Sequence, residues 1–148
     1  MPKQLVYGWL RGGKLSVPVR MLAAQTLKMT SGRFCFTTAG YATLNVDGST
    51  RIFGFIEAGD VAPDVDDKYN CNISLDAVFR IPVDSGTYGF PMQGDTCDIA
   101  ISNNIQGAQL DASIENTLVV VDGDEDDNDY VDVMMESSVW GTGIGVDA

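Results

Sequence analysis

The chain has 148 residues, 45% hydrophobic and 20% charged, a composition that predicts one soluble globular domain with a core of its own. It contains no histidine, which excludes Ser-His-Asp and Cys-His nucleophiles and histidine-based metal centres. Its net charge of -12 disfavours nucleic acid as a partner, and no apolar run reaches the roughly 18 residues of a membrane helix.

The first thirty residues combine apolar side chains with bases and contain no acid, which predicts an N-terminal arm over residues 1–30. Residues 15–21 alternate between apolar and polar side chains, which predicts a strand, and Pro18 restricts that strand to a sheet edge because proline has no N–H to donate. A short helix is predicted over residues 21–29. The arm residues that we expect to contact a partner are Leu5, Tyr7, Trp9, Arg11, Lys14 and Arg20.

Alternation with a period of two dominates residues 31–136 and predicts a β-domain. Its clearest stretch runs from Cys71 to Val83. Shorter strands are predicted at residues 33–37, 51–57, 98–101, 117–121 and 130–136, with turn-forming residues between them. Many short strands joined by glycine-rich turns predict an all-β fold, a small β-sandwich or β-barrel from which the N-terminal arm and a C-terminal tail extend.

An acidic run at residues 122–129 joins the last two predicted strands. Asp122, Asp124 and Asp126 have the spacing of the first ligands of a calcium loop and are weak metal candidates. The pattern then fails, because Asp127 stands where such a loop needs glycine and Val133 where it needs a bidentate glutamate. The run predicts a solvated hairpin tip, with a loose cation site as the alternative and no required metal or cofactor.

Residues 137–148 are predicted to form a C-terminal tail, which contains three glycines and one tryptophan. A tryptophan in such a tail is seldom left in water. We therefore expect Trp140 to pack on the body or on a neighbouring subunit, and it joins the candidate partner contacts.

The charges are segregated along the sequence. Residues 1–46 hold six of the nine bases and no acid, whereas residues 81–148 hold fourteen acids and no base. This asymmetry predicts a basic end that meets an acidic surface and an acidic end that faces water. The alternative is that folding mixes the two ends into ordinary surface ion pairs.

No residue pattern indicates catalysis, and we predict that the chain is not an enzyme. Cys35, Cys71 and Cys97 have neither a zinc-ligand nor a disulfide-framework spacing and are predicted to be buried apolar residues. Acids for glycoside hydrolysis are present in number, but nothing singles out a pair. Glu57 follows an aromatic strand and is most simply the residue where that strand ends.

A series of short motifs follows the arm in a fixed order. They lie at residues 31–36 (SGRFCF), 50–56 (TRIFGFI), 77–83 (AVFRIPV) and 92–99 (MQGDTCDI), and the pair 119–121 and 130–133 closes the series. Over residues 30–136 this order resembles the head decoration, or cement, proteins of tailed bacteriophages. The chain departs from the family pattern at Ala77, where glycine is frequent, and at Arg33-Phe34, where an acid and a valine are common.

The resemblance implies a structural virion protein, small, β-rich and usually trimeric, that binds the outer surface of an icosahedral phage head and stabilises adjacent major capsid proteins. The implied partners are the major capsid protein and further copies of this chain, in a homotrimer, with no nucleic acid, membrane or cofactor. The implied location is the outer surface of the capsid, after synthesis in the host cytoplasm.

A receptor-binding or carbohydrate-binding β-module of a phage tail or fibre is the alternative function. Such a module needs a cluster of exposed aromatic side chains beside polar loop residues. Trp9 and Trp140 lie in opposite terminal segments, and Tyr41, Tyr69 and Tyr88 are dispersed. The sequence therefore favours the decoration role.

Overall fold

A computed structural model describes residues 7–22 and 25–141, which form eleven strands and two short 3₁₀ turns. The turns are Phe90–Met92 and Ser137–Val139. No α-helix occurs in this described part of the chain, so the predicted all-β class is confirmed. The strands are β1 (Gly8–Arg11), β2 (Ser16–Met21), β3 (Phe34–Thr38), β4 (Tyr41–Leu44), β5 (Gly54–Ile56), β6 (Lys68–Asn72), β7 (Val78–Ser85), β8 (Thr96–Ser102), β9 (Ile105–Gln109), β10 (Leu118–Gly123) and β11 (Tyr130–Met135).

The strands divide into two sheets that pack in a sandwich-like arrangement. A six-stranded sheet has the order β1-β7-β11-β10-β8-β9, and β9 also pairs with β7, so this sheet curls back on itself. The other five strands close into a barrel in the order β2-β4-β3-β5-β6. Both predicted architectures, sandwich and barrel, are therefore present in one domain.

The predicted strand over Cys71–Val83 is wrong as a single element. The chain leaves the barrel at the end of β6, turns where the Ala77 N–H donates to the Ser74 carbonyl, and enters the six-stranded sheet as β7. The sequence alternates without a break across this turn, but Leu75 within it is exposed and does not continue a buried face. The predicted helix over residues 21–29 is also wrong in its described part, since Met21 ends β2 and Leu27 forms a β-bridge with Val61.

The N-terminal arm does not project from the body over its described residues. β1 pairs antiparallel with β7, and β2 pairs with β6 and with β4 inside the barrel. Because β2 alternates, it buries Val19 and Met21 in the barrel core. β4 pairs with β2 only at Arg20 and Met21, so Pro18 lies where β2 has one neighbour, as expected. Leu5 lies outside the described residues.

The start of the predicted tail is also attached to the body. The Ile52 N–H donates to the Val139 carbonyl, and the Gly141 N–H donates to the Ile52 carbonyl. These two hydrogen bonds make residues 139–141 a parallel addition beside Ile52. Residues 142–148 lie outside the described part of the chain.

Two hydrophobic cores share the strands β3 and β5. Phe34 and Phe55 face the six-stranded sheet and meet Phe79, with the Phe34 ring centroid 4.9 Å from that of Phe55 and 5.3 Å from that of Phe79. The next residue of each strand, Cys35 and Ile56, points into the barrel. The period of two therefore gives these strands two buried faces and leaves neither in water.

A buried glutamine amide connects the two sheets. The Gln106 side chain accepts from the Phe34 N–H at 2.8 Å and donates to the carbonyls of Phe34 and Asn45, both at 2.9 Å. The main chain of Gln106 accepts from the Gly32 N–H, and its own N–H donates to Ser31 Oγ. Gln106 is completely buried, so it acts as a strand partner for the start of β3.

We expect Gln106→Leu to lower the free energy of unfolding by about 2–4 kcal/mol, because the Phe34 N–H and the Asn45 carbonyl lose their partner at about 1–3 kcal/mol each, whereas the Phe34 carbonyl keeps the Asn45 N–H as a donor. Urea unfolding followed by tryptophan fluorescence measures it. The matched control is Gln93→Leu, at an exposed glutamine with one hydrogen bond to the Val121 carbonyl, which should cost less than about 1 kcal/mol. Equal losses in the two variants would contradict the structural role of Gln106.

Candidate functional site

β1 and the turn after it form an exposed surface of aromatic and basic side chains. Trp9 stands opposite Phe79 of β7 but turns outward and is 39% exposed. The Lys14 Nζ lies 4.4 Å from the centroid of the Trp9 ring, and Trp9 Nε1 donates to the Gly13 carbonyl at 3.1 Å. Arg11 is exposed on the same strand. Trp9, Arg11 and Lys14 are called the β1 surface below.

Apolar side chains border the β1 surface. Leu15 follows Lys14 and is 61% exposed, and Leu75, in the turn between β6 and β7, is 37% exposed. The Leu15 N–H donates to Ser74 Oγ at 2.7 Å, which holds the two segments together. Exposed apolar groups beside bases are the composition of a surface that binds a partner.

Tyr7 and Arg20 do not belong to the β1 surface. The Tyr7 hydroxyl donates to the Asp129 carbonyl over a long 3.5 Å, and burial, with the nearby Asp129 carboxylate, raises the pKa of Tyr7. Arg20 lies at the far end of β2 and forms an exposed ion pair with Asp66 at 3.9 Å, an arrangement that contributes little to stability. The structure thus separates these two residues from Trp9, Arg11 and Lys14.

Trp140 packs on the body, one of the two expected outcomes. Its ring stacks on Phe53 with the centroids 5.8 Å apart, and its Nε1 donates to the Phe53 carbonyl at 2.7 Å. Phe53 and Arg20 both line a groove of about 550 Å³ between β2 and the β3–β4 hairpin. Sequence reasoning missed this groove, because its lining residues come from three separate segments.

Among the described residues, ion pairs do not neutralise the bases of the N-terminal third. The described residues contain two ion pairs, Arg20–Asp66 and Arg80–Asp132, and neither joins a base of residues 1–46 to an acid of residues 81–148. Arg33 is not part of the exposed basic surface, because its guanidinium is buried and donates to the carbonyls of Lys28, Ser31 and Ile56. Burial lowers the pKa of Arg33, and these carbonyls compensate for its lost hydration.

The acidic hairpin between β10 and β11 is not the wholly solvated tip that the sequence predicted. Asp124 is only 4% exposed, and its carboxylate accepts the N–H groups of Asp126, Asp127 and Asp129 at 3.1–3.2 Å. The prediction was wrong for this residue because a short acidic side chain in a turn binds local main-chain donors.

The hairpin tip also packs on the loop over residues 86–90. The Tyr88 N–H donates to Asn128 Oδ1, and a Cβ at Gly123 would lie 2.5 Å from the Tyr88 ring. Gly123 therefore allows the close contact that brings the hairpin down onto this loop.

The carboxylates that come together differ from the predicted metal candidates. Asp124, Asp127 and Asp129 each place one oxygen within 4.8 Å of the others. Asp126 is not part of this group, and Asp122 accepts the Gly123 N–H at 2.9 Å. The main-chain bonds to Asp124 suffice to explain its burial.

The three cysteines are free and buried, which confirms the prediction. Burial raises the pKa of Cys97 to about 12. Contact with the Cys35 thiol, 3.7 Å away, and burial raise the pKa of Cys71 far above its usual range. Cys71 and Cys97 are therefore not activated thiolates. Glu57 is exposed just beyond β5, where its carboxylate accepts from Ser16 Oγ.

Comparisons with protein-family models, with curated proteins and with solved structures found no match to this chain. No helix among residues 7–22 and 25–141 is long and apolar enough to cross a membrane. The class that the fold and site define is an all-β domain with an exposed edge strand that carries aromatic and basic side chains.

We expect Asp124→Ala to lower the free energy of unfolding by about 2 kcal/mol, because three main-chain N–H groups lose a charged acceptor. Asp126→Ala, at an exposed neighbour, should change it by no more than about 0.5 kcal/mol. Thermal unfolding of both variants beside the parent protein measures the difference. If the two variants unfold alike, the hairpin does not depend on Asp124.

We expect none of the three thiols to react with an aromatic disulfide reagent at pH 8 in the folded protein, because burial disfavours the reactive thiolate. All three should react once the protein is unfolded in guanidinium chloride. Absorbance of the released thiolate counts the reacted groups. Rapid reaction of any thiol under native conditions would show that the cores open readily.

Proposed function

We propose that this chain is a structural virion protein that binds the outer surface of an icosahedral phage head and cements adjacent major capsid proteins. The observation that carries the proposal is the β1 surface. Trp9 is exposed there although it is a large aromatic residue, and neither Arg11 nor Lys14 forms an ion pair within the described part of the chain. An acidic capsid surface would supply the missing carboxylates.

The edge position of β1 suits this role. β1 pairs with β7 on one side, and its other side can accept a strand from a partner through main-chain hydrogen bonds. Since β1 is already ordered by β7, binding does not incur the cost of fixing a free arm, which is about 1–2 kcal/mol per residue. A short preformed edge can therefore bind with a few anchor side chains.

The acidic hairpin lies toward the other end of the same sheet. Arg11 of β1 pairs with Val78 at the start of β7. Tyr130, the first residue of β11 after the acidic hairpin, pairs with Pro82 further along β7. Four residues of strand separate these positions by about 13 Å. A capsid bound at the β1 surface can thus leave most acids in water, where they keep the protein soluble.

Self-association is part of the proposal. Three copies around a closed threefold axis would present three β1 surfaces to adjacent capsid subunits. Linked contacts of this kind strengthen binding through effective concentration without any new contact. A homotrimer therefore turns a modest contact surface into a stable clamp.

The first test is location: the protein should be found by mass spectrometry in purified virions of the phage that encodes it. The second test measures binding to heads prepared without it. We expect Trp9→Ala to weaken binding about 30-fold, equivalent to about 2 kcal/mol, if Trp9 is a buried anchor. Val65→Ala, at an exposed apolar residue of the loop between β5 and β6 and outside the β1 surface, is the control and should bind as the parent does.

Charge reversal of Arg11 and Lys14 to glutamate should weaken binding less than Trp9→Ala, and its effect should shrink as salt rises. The range of such charges falls from about 10 Å at 0.1 M salt to about 3 Å at 1 M. Absence from virions, or full affinity of the Trp9→Ala variant, would reject the proposal. Selective binding to a glycan array would favour the receptor-binding alternative instead.

A further inference from the structure

A second surface lies on the acidic half of the molecule. A groove of about 380 Å³ runs between the segment from Met92 to Cys97 and the segment from Leu110 to Ser113. Cys97 and Val120, both buried, lie along it, and Met92 and Leu110 pack against the same core. Its lining is therefore mixed: apolar residues of the core lie along it, and polar groups form slightly more than half of its exposed surface.

The most exposed large apolar side chains of the described residues adjoin this groove. Ile114 is 80% exposed and follows Ser113 of one wall, and Phe90 is 68% exposed and begins the 3₁₀ turn that ends at Met92 of the other wall. The Ile114 N–H donates to the buried Asp98 carboxylate, which fixes this residue's main chain while its side chain stays in water. Two exposed apolar groups beside one groove mark an interaction site.

All charged side chains that line the groove are acidic. Asp95 and Asp111 stand on opposite walls, no lysine or arginine lines the groove, and residues 81–148 contain no base at all. Asp111 accepts from Ser85 Oγ at 2.8 Å, and the hydroxyls of Thr96 and Ser113 bond to each other and to Asn116. The hydroxyls are thus satisfied, and the two carboxylates are the charges left to meet a ligand.

We infer that this groove binds a segment of a partner protein that carries both cationic and apolar side chains. Apolar side chains of the segment would fill the space between the walls and cover Phe90 and Ile114, and lysine or arginine side chains would pair with Asp95 and Asp111. The inference does not depend on the proposed function, because it uses neither the β1 surface nor the capsid.

The test uses three capped pentapeptides, Arg-Leu-Arg-Leu-Arg, Arg-Ser-Arg-Ser-Arg and Glu-Leu-Glu-Leu-Glu, titrated into the full chain and followed by two-dimensional amide NMR. The first peptide should shift the amide signals of residues 92–97 and 110–114. The second should bind at least fivefold more weakly because it lacks apolar side chains, and the third should not bind. Raising the salt from 0.1 M to 1 M should weaken the first complex.

Matched variants locate the site. Asp95→Asn with Asp111→Asn, and separately Ile114→Ser, should each weaken the first peptide at least fivefold. Asp64→Asn and Val65→Ser, at an exposed acid and an exposed valine of the other sheet system, should not change its affinity. Thermal unfolding of each variant confirms that it is folded.

Three outcomes would overturn the inference. One is failure of the first peptide to shift these signals at millimolar concentration. Another is equal binding of the arginine-leucine and arginine-serine peptides, which would show general attraction of cations to an acidic protein. The third is self-association, measured by sedimentation, that the groove variants abolish, since the occupant would then be a second copy of this chain.

Discussion

The two sheets of this protein depend on one buried amide. At the start of β3 the Phe34 N–H donates to the Gln106 side chain, and the Phe34 carbonyl accepts both from that side chain and from the Asn45 N–H. With those groups satisfied, the Phe34 ring can enter the shared aromatic core with Phe55 and Phe79. The barrel and the six-stranded sheet can then share one core, because burial of the Phe34 main chain leaves no polar group unpaired.

The requirement that buried polar groups be hydrogen-bonded also applies to the buried charged side chains. Arg33 is buried against carbonyls, Asp98 of β8 is buried against the N–H groups of residues 114–116, and Asp124 is buried against N–H groups of its own turn. These side chains are structural, and their charge is satisfied locally. The charges that remain exposed are therefore the informative ones: Arg11 and Lys14 beside Trp9, and the carboxylates of the groove and the hairpin.

The two proposed contacts have opposite electrostatic character. The β1 surface offers bases and an aromatic anchor to an acidic partner, and the groove between residues 92–97 and 110–113 offers carboxylates, beside the exposed Phe90 and Ile114, to a cationic one. A chain with both surfaces can join two different neighbours, and each surface disfavours the neighbour of the other by like-charge repulsion. Segregated charge thus gives selectivity as well as solubility.

Period-two alternation and residue polarity are local properties, and they were enough to predict the all-β class and the burial of the cysteines. They also predicted that Trp9, Arg11 and Lys14 are available to a partner. The strands predicted in this way are β2, β3, β5, β8, β10 and β11. The sequence did not reveal β1, β4 or β9, which are four or five residues long, or the break between β6 and β7. Only the tertiary structure placed Asp124 inside its turn, attached the arm to β7 and β6, and separated Arg20 and Trp140 from Trp9. Those outcomes depend on which distant main-chain groups pair, such as Gly8 with Arg80 and Phe34 with Gln106, and no local pattern encodes that pairing.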